Sequence, residues 1–222
     1  GSLLILPPPA GWVALFDQAA VTLDYRPVDE PGTSHAAMAQ GKTLLLATSG
    51  SYVTPEDRTA GLSFADGYVQ NFLISPKMHG LVVNDEQGQL YMLDMKRGGV
   101  LPGLSRPIRP LESLADFHQL LGWLRSHRAS AFQTHLLADR GALTIEQDKA
   151  NPTARERRLL VTASYQGAPI VAVVDIPGDH KKSLAEAAEV AMQALITPEP
   201  QGPGLEVLAI ANLDVGSYDI LG

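Results

Sequence analysis

The sequence predicts a mixed α/β domain of the α+β kind: a single strand-rich domain with two main helices packed on the sheet. Short apolar runs recur along the chain and are separated by turn residues such as Asp-Gly, which is typical of consecutive strands. Only residues 113–127 and 183–196 show the spacing of apolar residues that indicates a helix. With 222 residues, of which 45% are hydrophobic, the chain is long enough for a core of ordinary size.

The composition excludes several classes of function. The chain has 17 Lys and Arg against 24 Asp and Glu, a net charge of −7, and no basic cluster, so we expect no nucleic-acid partner. It contains no cysteine, which excludes disulfides, thiol catalysis and cysteine-based zinc sites. The histidines are not spaced as metal ligands and no EF-hand pattern appears, so we name no metal-binding residue, and a hard cation among the Asp-rich turns stays open. We expect no cofactor. No apolar run is long enough to span a membrane, and the oligomeric state stays open.

The N-terminal third combines strands with proline-rich breaks. Residues 1–11 contain three consecutive prolines, which forbid regular ladder pairing, and predict an extended lead-in segment before a domain at residues 12–222. Residues 12–25 predict one or two strands, with a short helix around residues 16–20 as the alternative. Residues 42–47 predict a core strand that ends in a turn of small residues.

The middle of the chain predicts hairpins and one long loop. Turn residues between apolar runs predict a hairpin at each of four places: residues 66–67, 86–88, 139–141 and 166–167. Residues 98–110 hold three glycines and three prolines and predict a loop. A loop of this length is usually functional or mobile.

Both predicted helices begin with a capping signal. Ser113 is placed to cap the first helix, and Ser183 with Glu186 has the spacing of a capping box. The second helix connects apolar runs at residues 170–174 and 207–210. This order of strand, helix and strand predicts that the two runs form a parallel pair.

The last apolar run ends in a polar turn that contains Asp214, Gly216 and Ser217. This pattern predicts a buried strand that delivers a carboxylate and a tight loop to a sheet edge, where functional residues are common. The alternative interpretation is a turn that only closes the strand through its Asp side chain.

The order of these motifs resembles the phosphodiester glycosidase family, to which the lysosomal "uncovering enzyme" belongs. Residues 213–217, Leu-Asp-Val-Gly-Ser, are similar to the hallmark Leu-Asp-Gly-Gly-x-Ser of that family. Residues 49–52 occupy the place of its Asn-Gly turn. Further similar motifs, in chain order, lie at residues 61–62, 66–67, 71–74, 133–137, 139–141 and 158.

The resemblance implies hydrolysis of a sugar-1-phosphodiester or a related glycan by an exported protein, periplasmic or secreted. The transition state of this hydrolysis is oxocarbenium-like and is stabilised by a carboxylate. The phosphate is bound by a cation such as the planar fork of an arginine. The resemblance assigns Asp214 and Arg158 to these catalytic roles. The substrate-binding residues that it implies are Ser49, Gly50, His135, Gly216 and Ser217.

Three functions follow from this pattern. The first is an active hydrolase of the glycosidase class. The second is a degenerate domain that binds glycan or phosphoglycan without cleaving it. Ser49 and Val215 stand where the family has Asn and Gly, and these departures favour this second function. The third is an interaction domain of a cell-envelope assembly, for which a broad exposed apolar patch is the expected sign.

Overall fold

Two antiparallel sheets and two helices dominate the part of the chain that the structure, a computed structural model, describes. The described residues are 4–6, 11–25, 43, 45–52, 59–145, 155–177, 180–198, 203–213 and 219–220. The helices are α1 (Leu114–Ser126) and α2 (Leu184–Ile196). In chain order the strands are β1 (Leu4–Leu6), β2 (Trp12–Asp17), β3 (Leu46–Ala47), β4 (Ser63–Ala65), β5 (Tyr68–Asn71), β6 (Gly80–Asn84), β7 (Leu90–Asp94), β8 (Ser130–Thr134), β9 (Leu136–Asp139), β10 (Ala142–Leu143), β11 (Arg157–Tyr165), β12 (Ala168–Ile176), β13 (Glu206–Leu213) and β14 (Asp219–Ile220). The predicted class, a strand-rich α+β domain, is confirmed.

The larger sheet contains seven strands in the order β1-β2-β12-β11-β13-β9-β10. Side chains alternate between its two faces because successive residues of a strand point in opposite directions. On one face, Leu159 and Val161 pack against α2, whose contact surface is made of small residues such as Ala188. On the other face, Leu160 and Ala211 pack against the second sheet. Both faces are therefore covered, which explains the long apolar runs of β11 and β12.

The smaller sheet contains five strands in the order β5-β4-β8-β6-β7. Helix α1 covers its outer face with Leu120 and Leu124, both 0% exposed. The predicted long loop at residues 98–110 packs into the same core through Leu101 and Ile108, also 0% exposed. This loop is therefore anchored in the structure. Neither of the two described helices is long and apolar enough to cross a membrane.

The local predictions are largely confirmed. Hairpins form at all four predicted places, joining β4 to β5, β6 to β7, β9 to β10 and β11 to β12. Residues 12–17 form a strand, so the helix alternative near residues 16–20 is wrong. The Ser113 cap and the capping box of Ser183 and Glu186 are both present.

Three predictions of longer range are wrong. Strands β12 and β13 are not a pair, because β11 lies between them and is antiparallel to both. Leu4–Leu6 pairs with β2 in spite of the prolines, since these begin at residue 7 and leave the donors of β1 intact. The described part of residues 42–47 forms only the half-buried strand β3, which pairs with β14 outside both large sheets.

Replacing Ser183 by alanine is expected to lower the free energy of unfolding by about 1 kcal/mol. The Ser183 hydroxyl accepts from the Glu186 N–H at 3.2 Å, and the Glu186 carboxylate accepts from the Ser183 N–H at 2.8 Å. Chemical denaturation measures the loss. Glu186→Gln is the matched control, because glutamine still offers an acceptor. An equal loss in both variants would contradict the cap as the cause.

Candidate functional site

The candidate site lies where β11 and β13 end at one edge of the larger sheet. Arg158, near the start of β11, is directly across from Leu213, the last residue of β13. Asp175 of β12 is its neighbour on the other side. Residues 48–52 reach both β11 and β13 through side-chain hydrogen bonds. Segments that are distant in sequence therefore converge at this edge.

Arg158 is the central buried cation of the site, with 2% of its surface exposed. Its Nε donates to Asp175 Oδ1 at 3.0 Å, and its Nη1 donates to Thr48 Oγ1 at 2.8 Å. Burial raises the pKa of Asp175 above its usual value, while the charge of Arg158 acts in the opposite direction. The guanidinium thus joins the end of β12 to the segment that contains Ser49 and Gly50.

Asn212, 0% exposed, ties the end of β13 to its surroundings. Its side-chain amide donates to the Tyr52 hydroxyl and to the Leu213 carbonyl. Its backbone N–H donates to the His135 carbonyl at 2.9 Å, and its own carbonyl accepts from the Thr134 hydroxyl. Within the described residues its side-chain oxygen has no hydrogen-bond partner. Such buried, unsatisfied acceptors are uncommon in folded proteins.

His135 lies at the junction where the chain leaves β8 in the smaller sheet and enters β9 in the larger one. Its ring is half-buried and stands edge-on to the ring of Tyr52, with centroids 5.8 Å apart. Burial, together with the neighbouring His79 and Arg157, lowers the pKa of His135 to about 4. At neutral pH the imidazole is therefore neutral and offers one donor and one acceptor.

Arg157 places a second cation at the same strand end. It is 3% exposed, and its Nε donates to the Lys182 carbonyl at 2.9 Å. Because adjacent residues of a strand point to opposite faces, Arg157 and Arg158 flank the sheet on its two sides. Burial lowers the pKa of Arg157, but a guanidinium stays charged at any physiological pH. Positive charge is thus concentrated at this edge of a chain whose net charge is −7.

The structure describes four of the seven residues that the resemblance assigns. Arg158 and the segment of Ser49 and Gly50 are joined through Thr48, and His135 joins the same segment through Tyr52. Gly50 is closely packed, since an added Cβ would come within 3.3 Å of the Phe132 ring. The remaining three, Asp214, Gly216 and Ser217, lie outside the described residues.

Sequence reasoning missed Asn212 as a member of this site. Asn212 had a detectable signal: it is a polar residue inside an apolar strand, and burying an amide is costly unless it is hydrogen-bonded. From the sequence, Asp175 was considered only as an ion-pair partner of an Arg158 at the surface, whereas the structure buries both residues. Tyr52 belongs to the motif at residues 49–52, but its contacts with residues more than 80 positions away could not be predicted.

A separate groove of about 530 Å³ opens between the two sheets, away from this edge. Thr162 and Ala209, which pair with each other, lie in its wall, four residues along β11 and β13 from Arg158 and Leu213. The rest of the lining is Leu90, Tyr91, Met92, Val100, Asp139, Arg140, Gly141, Glu206, Val207 and Leu208. We place the candidate site at the strand ends, because the buried Arg158 and Asp175 and the unsatisfied side-chain oxygen of Asn212 lie there, and no residue that lines the groove has either feature.

The comparisons with known proteins bear on the fold. No family model matches the chain, and no curated protein matches it. Among solved structures, the catalytic domain of zebrafish N-acetylglucosamine-1-phosphodiester alpha-N-acetylglucosaminidase, auto-inhibited by its pro-peptide, is similar with a TM-score of 0.50 and 17% identity. The chain shares a distant fold relationship with this glycosidase.

A second similar structure is a hypothetical protein from Synechocystis, with a TM-score of 0.51 and 11% identity. The alignments cover 83% and 98% of this chain, but only 56% and 57% of the zebrafish and Synechocystis chains. The chain therefore spans a little over half the length of each of these structures. At such identities the likeness concerns the fold, and function rests on the residues of the site.

Proposed function

We propose that this protein is a phosphodiester glycosidase-like hydrolase that acts on a sugar-1-phosphodiester or a related glycan, in an exported compartment. The main observation behind the proposal is the group formed by Arg158, Asp175 and Thr48, the Arg158 cluster. A buried guanidinium, bound to Asp175 and Thr48, lies across from Leu213 at the end of β13. Asp214, the carboxylate that the resemblance assigns to catalysis, is next to Leu213 in the sequence. The distant fold relationship to a phosphodiester glycosidase supports the same reaction class.

In the proposed reaction, water adds to the anomeric carbon and the bond from that carbon to the phosphate oxygen breaks. The sugar keeps the hydroxyl of the water, and the phosphate leaves as a monoester. Asp214 supports the positive charge that develops on the sugar ring, or transfers the proton. The positive potential of Arg157 and Arg158 attracts the phosphate. The neutral imidazole of His135 is suited to hydrogen bonds with sugar hydroxyls.

A binding domain that has lost catalysis is the second candidate. The sequence favours it, because Ser49 and Val215 replace an amide and a glycine of the family motifs. In addition, Arg158 is 2% exposed and already engaged with Asp175, so it acts on a ligand only if the site opens. In this alternative the cluster contributes to ligand binding by positioning the segment of residues 48–52.

Hydrolysis of a panel of sugar-1-phosphodiesters, chromogenic and nucleotide-linked, tests the proposal. Asp214→Asn and Arg158→Lys are each expected to reduce kcat/KM at least about 100-fold, because one removes the carboxylate and the other the planar fork. Arg140→Lys, in the separate groove, is the matched control and is expected to retain full activity. Circular dichroism verifies that each variant is folded.

The outcomes separate the two candidates. Activity that both site variants lose supports the hydrolase. Binding of a sugar phosphate without turnover, weakened in Arg158→Lys and unchanged in Arg140→Lys, supports the degenerate binding domain. A folded protein that neither cleaves nor binds any member of the panel contradicts both.

A further inference from the structure

The smaller sheet carries an exposed apolar surface along its edge strand β5. Four of the five most exposed large hydrophobic side chains of the described residues belong to β5, to the residues that follow it, or to the start of α1. They are Leu73 at 75%, Tyr68 at 73%, Leu114 at 70% and Phe72 at 53%. Phe72 and Leu114 belong to one surface, because the Phe72 ring contacts the Phe117 ring at 5.6 Å, and Phe117 is one helical turn after Leu114. Tyr68 lies on the opposite face of the sheet, because its neighbour Val69 packs into the core beneath α1. We call these four residues, which lie on both faces along the β5 edge, the β5 patch.

Strand β5 is also an open edge. It pairs with β4 on one side, and no described strand pairs with it on the other. Edge strands of soluble proteins are usually protected by charged residues or proline. Residues 67–75 contain neither. Charged residues and proline occur only beyond this stretch, at Asp66, Pro76 and Lys77. By contrast, the edge strand β7 contains Asp94. The β5 edge itself therefore carries no charge that would oppose strand addition.

We infer that β5 pairs antiparallel with β5 of a second copy of this chain, so that the two smaller sheets become continuous. The absence of charged residues at positions 67–75 favours a second copy over another protein as the partner. A partner drawn by the net charge of −7 would be basic and would bind carboxylates, and residues 67–75 have none. An uncharged strand meets its own copy without repulsion. A two-fold axis brings the same patch of each chain against the other, as in most homodimers.

The exposed area of the β5 patch shows how much surface a dimer could bury. Its four side chains expose roughly 500 Å² in each copy, divided between the two faces of the sheet. Two copies together would bury about 1,000 Å² of side chain in addition to the backbone edges, which is at the low end of specific complexes. Because buried area does not determine affinity, the association has to be measured over a wide range of concentrations.

Sedimentation velocity at loading concentrations from about 1 µM to about 100 µM tests the association. The unmodified protein is expected to shift from monomer to dimer over this range. Leu73→Lys and Gln70→Lys each place a charge at the edge and are expected to weaken the dimer at least tenfold. Leu143→Lys is the matched control, because Leu143 is 43% exposed on the edge strand β10 of the other sheet. This control is expected to dimerise as the unmodified protein does.

Cross-linking tests the position of the interface. Because the chain contains no cysteine, Gln70→Cys and Leu143→Cys each carry a single thiol. A short bismaleimide is expected to link two copies of Gln70→Cys and not two copies of Leu143→Cys. A monomer at every concentration would overturn the inference. So would a dimer that survives Leu73→Lys and Gln70→Lys, or one in which Gln70→Cys does not cross-link.

Discussion

Arg158→Ala is expected to lower the free energy of unfolding by about 3–5 kcal/mol, the largest effect of any single substitution considered for this protein. The change removes a guanidinium that is 2% exposed and leaves the Asp175 carboxylate, 6% exposed, without its ion-pair partner. It also removes the donor to Thr48 and so releases the segment of residues 48–52 from β11. An isolated buried charge is costly because the protein interior solvates it poorly.

Urea denaturation of Arg158→Ala measures this loss. Arg140→Ala is the control, because the Arg140 side chain is 72% exposed and its contact with Asp139 is 3.7 Å long. That exposed pair is expected to contribute less than about 1 kcal/mol. Similar small losses in both variants would show that the Arg158 pair is not important for stability.

A double substitution distinguishes the stability that the ion pair contributes from the cost of leaving one buried charge unpaired. In Arg158→Met combined with Asp175→Leu, both charges are replaced by apolar groups, so no carboxylate is left unpaired. Such replacements are often close to neutral. We therefore expect this double variant to be more stable than Arg158→Ala. A double variant that is less stable than the single one would mean that the ion pair itself, and not the unpaired charge, accounts for the loss.

Acidification is expected to destabilise the protein by about 3 kcal/mol through His135 alone. The pKa of His135 is about 4 in the folded protein against 6.5 in the unfolded chain. Between these two values the unfolded chain binds more protons than the folded protein. The contribution is therefore fully present above pH 6.5, is lost as the pH falls towards 4, and does not change further below that.

Denaturation at a series of pH values from about 7 to about 4 measures this dependence. Carboxylates titrate in the same range, so the decisive quantity is the difference between the unmodified protein and His135→Gln. This variant is expected to lose less stability on acidification. His118→Gln, which changes an exposed histidine of α1, is expected to follow the unmodified protein. Parallel curves for the unmodified protein and His135→Gln would rule out His135 as the source.

The candidate site was predictable only in part. Arg158 was reached through a resemblance of motifs, and the structure adds the reason for its position: it is held by Asp175 and by Thr48, which is 110 residues away in the chain. Asn212 was detectable as a polar residue in an apolar strand. Helical spacing places Leu114 on the same side of α1 as Leu120 and Leu124, but Leu114 is 70% exposed because it lies at the first position of the helix, beyond the core that these two residues fill.

Local sequence patterns specify the hairpins, the two helices and their caps. These features depend on interactions between residues a few positions apart, such as Ser183 with Glu186 or the strands on either side of Asp66-Gly67. No local pattern indicates that β11 lies between β12 and β13, or that the chain changes sheets at His135. An apolar run indicates that a strand is buried on both faces but does not specify which strands lie next to it. The order of the strands depends on how α2 and the smaller sheet pack against the two faces of the larger sheet.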